Sequence, residues 1–312
     1  MNRLGRIKLE DVKKTEVGAT ETESQILCPY CGASCVIKMR NLRHPLWKDM
    51  HPVDLWECKA CRSYTTSPMP SQELLRAIYQ ELETGYPEHK SQAKKETLQT
   101  EWYNDILKTF SVHHLANERI ADIGAGEGWL ASAIVERMGA DTFLHCYDLH
   151  EAPQVIRDNP AFGVKFRWIQ SDAQRIHRDA NSKGGGYDRI FLISIIEHVP
   201  NPKQLVENCL GMLSSRGLLH VIGPLITPVA RLMGRQWPYV VPGEHLTIPT
   251  IDGLERMARS LKTEMMVKKI PVTYSLKYVT TAVMGMTIPS WLDVALRLPL
   301  GAFAATFQMS RP

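Results

Sequence analysis

No uncharged apolar run in these 312 residues reaches the ~20 that a membrane-spanning helix needs. The nearest, Tyr278 to Leu292, is fifteen residues long and is broken by Pro289. Met1 to Ser24 has no apolar stretch of the secretory type, so the expected compartment is the cytoplasm. Excess charge is scarce too: 37 Lys and Arg against 33 Asp and Glu leave only +4. That balance does not imply a nucleic-acid partner. Disorder of the whole chain is excluded by 44% hydrophobic and 22% charged residues. The length suits two domains, or one large domain with an appendage.

The small positive excess is unevenly placed. Lys268, Lys269, Lys277, Arg297 and Arg311 face a single acid, Asp293, in the last 45 residues. Everything before Lys268 balances at 32 against 32.

Cysteine is scarce but patterned. There are seven, an odd number, and four form Cys28-Pro-Tyr-Cys31 and Cys58-Lys-Ala-Cys61. In a reducing compartment such pairs read as metal ligands before disulfides. Each pair presents two thiolates to one tetrahedral zinc ion, and Gly32 suits the tight turn after the first pair. The 26 residues between the pairs slightly exceed the usual ribbon spacing. Cys35 is a spare, and His44 and His51 are competing ligands. A redox role is the alternative, but it needs one such pair rather than two. A closed four-cysteine site has no open coordination position, so the expected role is structural.

The chain divides into a flexible leader (1–24), a zinc ribbon (25–67), a helical linker or lid (68–116) and a larger domain (117–312). In the third segment Leu74, Leu75, Ile78 and Leu82 share one helical face over Ser71–Leu82, and Trp102, Ile106 and Phe110 another over Leu98–Leu115. From Asn117 short apolar runs alternate with helical patterns. Strands are expected at Arg119–Ile123, Thr142–Tyr147, Val164–Gln170, Tyr187–Ser194 and Gly217–Ile222. Helices are expected at Gly128–Met138, Ala152–Asp158 and Pro202–Leu213. This alternation predicts an α/β fold, a doubly wound and mostly parallel sheet with helices on both faces. Ligands then bind beyond the carboxyl ends of the strands.

The first of these strands runs into Asp122-Ile-Gly124-Ala-Gly126-Glu-Gly128. Glycines there let the backbone turn sharply and approach a ligand closely. A dinucleotide fingerprint needs a small sixth residue, where Trp129 stands, and a P-loop needs Gly-Lys-Ser/Thr. Neither fits. The next strand ends at Asp148, placed to bind ribose hydroxyls.

Asp-x-Gly-x-Gly-x-Gly after a first strand resembles motif I of the class I S-adenosylmethionine-dependent methyltransferases. The resemblance continues through Gln170-Ser-Asp172-Ala173, Tyr187 to Pro202 with Glu197-His198, and Leu213 to Ile222. Gly234 to Leu246 is similar to a subgroup akin to the ubiquinone-pathway O-methyltransferases, whose members often carry an N-terminal Cys₄ knuckle. It covers about Asn117 to Leu261 plus the ribbon. Asn201-Pro202 departs from the family's usual Asp-Pro, and about thirty residues, 272–300, intervene before the expected closing strand.

The resemblance implies a Rossmann-like methyltransferase fold with a small N-terminal zinc ribbon. It implies S-adenosylmethionine as cofactor beside structural zinc on Cys28, Cys31, Cys58 and Cys61. Cofactor contacts are expected from Asp122, Gly124, Ala125, Gly126, Gly128, Asp148, Leu149, Asp172, Ala173, Ser194 and Glu197. His198 and His245 are the candidate general bases, because a histidine pKa lies near neutral pH. Trp237 and Tyr239 are candidate walls of an acceptor pocket and Arg235 a candidate partner for an anionic group on the acceptor; packing of a proline-rich crossover is the alternative for all three.

The expected partner is a small or medium acceptor: a sugar, glycan, lipid-linked or quinone-like hydroxyl compound. RNA methylation through the ribbon is an alternative, against which stands the lack of an Asn/Asp-Pro-Pro-Tyr loop. A non-catalytic cofactor- or partner-binding module is another. The segment 272–300 is basic at its flanks and apolar inside. It is a candidate for peripheral contact with the inner membrane face, for a homo-oligomer contact or for packing on the sheet.

Overall fold

The structure is a computed structural model that describes residues 25–44, 50–75, 78–79, 92–112, 115–138, 142–159, 162–163, 165–173, 176, 186–275 and 295–310. The leader, Trp47, His113, His114 and the run 276–294 lie outside the described residues.

The ribbon holds β1 (Cys35–Leu42), β2 (Val53–Cys58) and β3 (Tyr64–Ser67), paired antiparallel in that order. Its Cys28-to-Gly32 knuckle closes by Gly32 N–H to Cys28 O at 2.8 Å, with Gly32 at φ +76°, a conformation that suits glycine. The second knuckle closes by Arg62 N–H to Cys58 O at 3.1 Å.

The larger domain is built on seven strands. They are β4 (Arg119–Ile123), β5 (Phe143–Asp148), β6 (Phe166–Gln170), β7 (Tyr187–Ile193), β8 (Leu213–Pro224), β10 (Thr263–Ser275) and β11 (Ala295–Met309). Their order is β10-β11-β8-β7-β4-β5-β6. The pairs among β4 to β8 are parallel, and β11 is antiparallel to both β8 and β10. The chain steps outward from β4 to β6 and then returns to β7 on the other side of β4. That reversal opens a crevice at the carboxyl ends of β4 and β7, where ligands of such sheets bind.

Both faces of the sheet are covered, which is why β7 ends in the continuous apolar run Ile190–Ile193. Ile120 joins a core with α1 (Gln92–Thr109) and α2 (Trp129–Val135) through Ile106, Leu107, Leu130 and Ile134. Ala121 and Ile123 face the opposite core, with α4 (Pro202–Gly211) and α6 (Ile251–Ser260) through Leu205, Val206, Leu254 and Met257. Between these come the short α3 (Gln154–Arg157) and α5 (Pro228–Met233). Asn201 caps α4 by accepting Gln204 N–H at 3.1 Å, with Pro202 in the first turn. Asparagine serves that position as well as aspartate does, so the departure from Asp-Pro is structurally neutral.

The ribbon is not a tethered appendage. The two-residue strand β9 (Thr247–Ile248), from the stretch after β8, pairs with β3 as a fourth strand of the ribbon sheet. Cys28, Cys58 and Cys61 belong to the same buried cluster as Leu254 and Phe303.

The residues flanking 276–294 are strand. Val272↔Leu298 and Ser275↔Ala295 continue the β10–β11 ladder. The extra residues between the two strands are therefore fewer than the thirty expected from sequence. Among the described residues no helix is long and apolar enough to cross a membrane.

Candidate active site

Gly124, Gly126 and Gly128 all have positive φ, +74°, +53° and +78°, a conformation that suits glycine, and two of them also lack room for a side chain. A Cβ on Gly124 would collide with Ile195, and one on Gly128 with Ile156. A Cβ on Gly126 would meet nothing within 4 Å, because Gly126 faces an open cavity. The loop is held by Gly124 N–H and Ala125 N–H on the Tyr147 carbonyl, at 2.8 and 3.1 Å.

That cavity, about 470 Å³, lies at the carboxyl ends of β4, β5 and β7. Its lining includes Gly124, Gly126, Asp148, Leu149, Asp172, Ala173, Ser194 and His198. Asp148 Oδ2 accepts Gly126 N–H at 2.8 Å, and Oδ1 accepts His150 N–H at 3.0 Å. Burial alone would raise the Asp148 carboxyl, but these bonds and the His150 ring hold it below the usual carboxylate range. Ser194, at φ +54°, is a non-glycine residue in the left-handed region, where strain is expected to serve a site.

Asp122 lies under the loop rather than in the cavity wall. It is 2% exposed, its Oδ2 has no hydrogen-bond partner, and burial with the nearby Asp148 charge pushes it up to about 8. Ala125 and Gly128 also sit behind the lining.

His198 donates from Nδ1 to the Glu244 carbonyl at 3.0 Å, since a backbone oxygen can only accept. Nε2 is then the nitrogen with the lone pair. Burial, with the neighbouring His245, lowers His198 to about 3, so the ring is neutral at physiological pH. His245 makes the same choice, Nδ1 to the Tyr239 carbonyl at 2.8 Å, and burial lowers it as well. Its ring lies 4.8 Å from that of His198, behind the cavity wall. Glu197 is also behind the wall, pushed up to about 8 by burial, with Oε2 unpartnered. Glu197, His198 and His245 each offer one ligand atom, and these lie within 4.8 Å of one another, a donor set that suits a divalent cation.

The three candidate acceptor walls are elsewhere. Trp237 is 1% exposed in a core with Leu42, Val53, Leu55 and Tyr64 of the ribbon. Tyr239 packs at the edge of that core and stacks on His245 at 5.9 Å. Arg235 donates to the Arg40 carbonyl at 2.9 Å. None lines the cavity; ribbon docking occupies all three.

Residues 94–261 match a family of methyltransferase domains. The chain belongs to this family. Its motifs and strand order are those of a class I S-adenosylmethionine-dependent methyltransferase. Two curated relatives are ubiquinone biosynthesis O-methyltransferases. That of Marinobacter nauticus is 27% identical over 145 residues, 41% of this chain and 59% of that protein. That of Aliivibrio fischeri is 29% identical over 105 residues, 33% of this chain and 42% of that protein. The chain thus matches about half of the length of these relatives. A solved 1,6-didemethyltoxoflavin-N1-methyltransferase from Burkholderia thailandensis, with bound S-adenosylhomocysteine, aligns with a TM-score of 0.49 at 13% identity. That alignment covers 83% of this chain and 96% of that one.

The methyltransferase's residues fit the cofactor that the family uses. The space beside Gly126 is open to backbone approach, Asp148 is ionised at the cavity edge, and Asp122 keeps an unpartnered carboxyl oxygen below the loop. The ribbon fits zinc. Its sulfurs are 3.5 Å (Cys31–Cys58), 3.5 Å (Cys31–Cys61) and 3.6 Å (Cys28–Cys61) apart. A tetrahedron with 2.3 Å bonds has edges of about 3.8 Å, and a disulfide would need ~2 Å.

Sequence reasoning missed Gln72, Leu75 and Tyr79, which line the cavity from the segment before the sheet. Their i, i+3, i+7 spacing was a usable signal of a shared helical face. His150 was also missed, and its position two residues after Asp148 marks the turn that orients that carboxylate.

Proposed function

We propose that this methyltransferase moves the methyl group of S-adenosylmethionine onto a hydroxyl of a small or medium acceptor. The carrying observation is that one cavity joins Gly126, Asp148 and His198. Gly126 and Asp148 would hold the cofactor's amino-acid and ribose parts, with Asp172 and Ala173 beside the adenine. The cofactor supplies an electrophilic sulfonium methyl group. The protein's task is to align the acceptor oxygen in line with that methyl and to take its proton.

His198 supports the hydroxyl reading, because its Nδ1–H bond leaves Nε2 as the proton acceptor. A base lowered to about 3 is weak, which favours a readily ionised phenol over a sugar alcohol. The ubiquinone-pathway relatives point the same way. The cluster of Glu197, His198 and His245 supports a second route to the same proton loss. A divalent cation there would lower the pKa of a bound hydroxyl. The apolar sequence 278–292 favours a lipid-linked member of the acceptor class.

The test is methyl transfer from labelled cofactor to simple phenols, catechols and sugars, with and without added divalent cation. S-adenosylhomocysteine release with a phenol or catechol is expected, and His198→Gln should lower turnover roughly 100-fold or more without loss of cofactor binding. No cofactor binding by the wild type would overturn the reading.

A further inference from the structure

His44 and Glu244 are 200 residues apart in sequence, yet His44 Nε2 meets Glu244 Oε1 at 2.6 Å with both side chains buried. His44 follows β1 of the ribbon. Glu244 sits in the turn that leads into β9, after Gly243 at φ +87°. The backbone carbonyl of Glu244 is the atom that accepts His198 Nδ1–H. Tyr79, which lines the cavity, also points its hydroxyl at that carbonyl and at the His198 carbonyl, 3.5 Å from each.

The same turn is held from both sides. Leu246 N–H donates to the Glu197 carbonyl at 2.7 Å, on the His198 side. The Leu246 carbonyl accepts Thr66 N–H at 2.9 Å and the Thr66 hydroxyl at 3.2 Å, on the ribbon side. Thr247 Oγ1 lies 3.1 Å from the Tyr30 hydroxyl, inside the first cysteine knuckle, and 3.4 Å from the Ile196 carbonyl. Thr250 Oγ1 donates to the Cys61 carbonyl at 2.6 Å. Residues 244–250 therefore bridge the two knuckles and the Glu197-His198 turn.

We propose that the ribbon is a working part of the active site, with His44 and Glu244 as positioning residues that fix the tautomer of His198. The mechanism is local. A neutral imidazole has two tautomers of similar energy, and the hydrogen bond made by one nitrogen selects which carries the proton. The Glu244 carbonyl selects Nδ1–H, and this leaves the Nε2 lone pair available. The carbonyl keeps its aim because the Glu244 side chain is tied to His44. Without that tie the turn relies on its backbone bonds alone, and His198 is released to the other tautomer. This inference rests on His198 being the group that faces the acceptor, but its test does not need an acceptor.

The test is ¹⁵N NMR of histidine-labelled protein, with the His198 signals identified by their loss in His198→Gln. The wild type should show Nδ1 protonated and Nε2 bare. His44→Ala and Glu244→Ala should shift His198 to a tautomer mixture, while S-adenosylhomocysteine affinity by calorimetry stays within about twofold and metal content is unchanged. Glu244→Gln, which keeps an acceptor oxygen for His44, should retain the wild-type tautomer. A wild-type His198 that carries its proton on Nε2 overturns the proposal whether or not any variant folds. A His44→Ala chain that binds S-adenosylhomocysteine normally with its His198 tautomer unchanged overturns it as well. The absence of methyl transfer to every acceptor tried would count against the proposed function and leave these NMR outcomes intact.

Discussion

Asp148 Oδ2 accepts the backbone N–H of Gly126 at 2.8 Å, so the acid that ends β5 also fixes the glycine loop after β4. The two strands are neighbours in the parallel sheet, and the bond spans the edge of the cavity. A hydrogen bond to a charged group contributes about 1.5–3 kcal/mol. Asp148→Ala should lose both that bond and any contact with the cofactor's ribose. Calorimetry should show S-adenosylhomocysteine binding weakened roughly 10- to 100-fold in a chain that remains folded by circular dichroism.

The three loop glycines should separate under mutation. Gly126→Ala adds a methyl group to open cavity space, so beyond the positive-φ strain that all three positions share it should act on cofactor binding rather than on packing. Gly124→Ala and Gly128→Ala push into Ile195 and Ile156, and overpacking of that kind costs about 1–3 kcal/mol. Their thermal midpoints should fall by several degrees more than that of Gly126→Ala. Equal midpoints in all three would contradict the assignment.

Cofactor affinity should depend on pH through Asp122. Its carboxyl is pushed up to about 8, so at pH 6 it is protonated in the free protein. A cationic ammonium nearby favours the ionised form, so binding expels a proton. Affinity should therefore rise from pH 6 to 7.5, by at most about tenfold per unit. Asp122→Asn should flatten that slope in calorimetry.

Folding stability between pH 8 and 5 should be a balance of buried groups of opposite sign. His198 and His220 are lowered from 6.5 to about 3, chiefly by burial. Their stabilising contribution is complete above pH 6.5 and is lost as pH falls toward 3, because the unfolded chain takes up protons that the folded one refuses. Each imidazole contributes a slope approaching ~1.4 kcal/mol per pH unit in that window. Asp122 and Glu197, pushed up to about 8 by burial, oppose that slope between pH 8 and 5, so urea unfolding at pH 7, 6 and 5 should show little net change in the wild type, and His220→Gln should make stability rise as pH falls.

Zinc on the four ribbon cysteines is an expectation that chelation tests: removal of the ion should destabilise the whole chain. Cys28, Cys58 and Cys61 share a core with the main sheet, and Trp237 seals the second contact. A chelator should lower the thermal midpoint in one transition rather than two. Trp237→Ala should do the same, at about 3–5 kcal/mol, without changing acceptor preference.

The local features of the site were legible because short-range chemistry sets them. The three glycines, Asp148 at its strand end and the two cysteine pairs are each specified by a handful of adjacent residues. The ribbon's seat was not legible. β3 is Tyr-Thr-Thr-Ser, all four residues buried, and a strand of hydroxyl-bearing residues gives no apolar alternation to read. Its partner β9 is only two residues long and lies 180 residues away.

The residues Arg235, Trp237 and Tyr239 show the limit most plainly. Aromatic and proline-rich composition suits an acceptor pocket and a domain contact equally, and only three-dimensional placement separates them. The family, the strand alternation and the positions of the glycine loop and cysteine knuckles were written in the order of residues, because those follow from local conformation and ligand chemistry. The tertiary structure alone decided that the ribbon packs into the main core, that Glu244 is tied to His44, and which nitrogen of His198 carries its proton. Those are contacts between residues far apart in the chain, and composition and spacing hold no record of them.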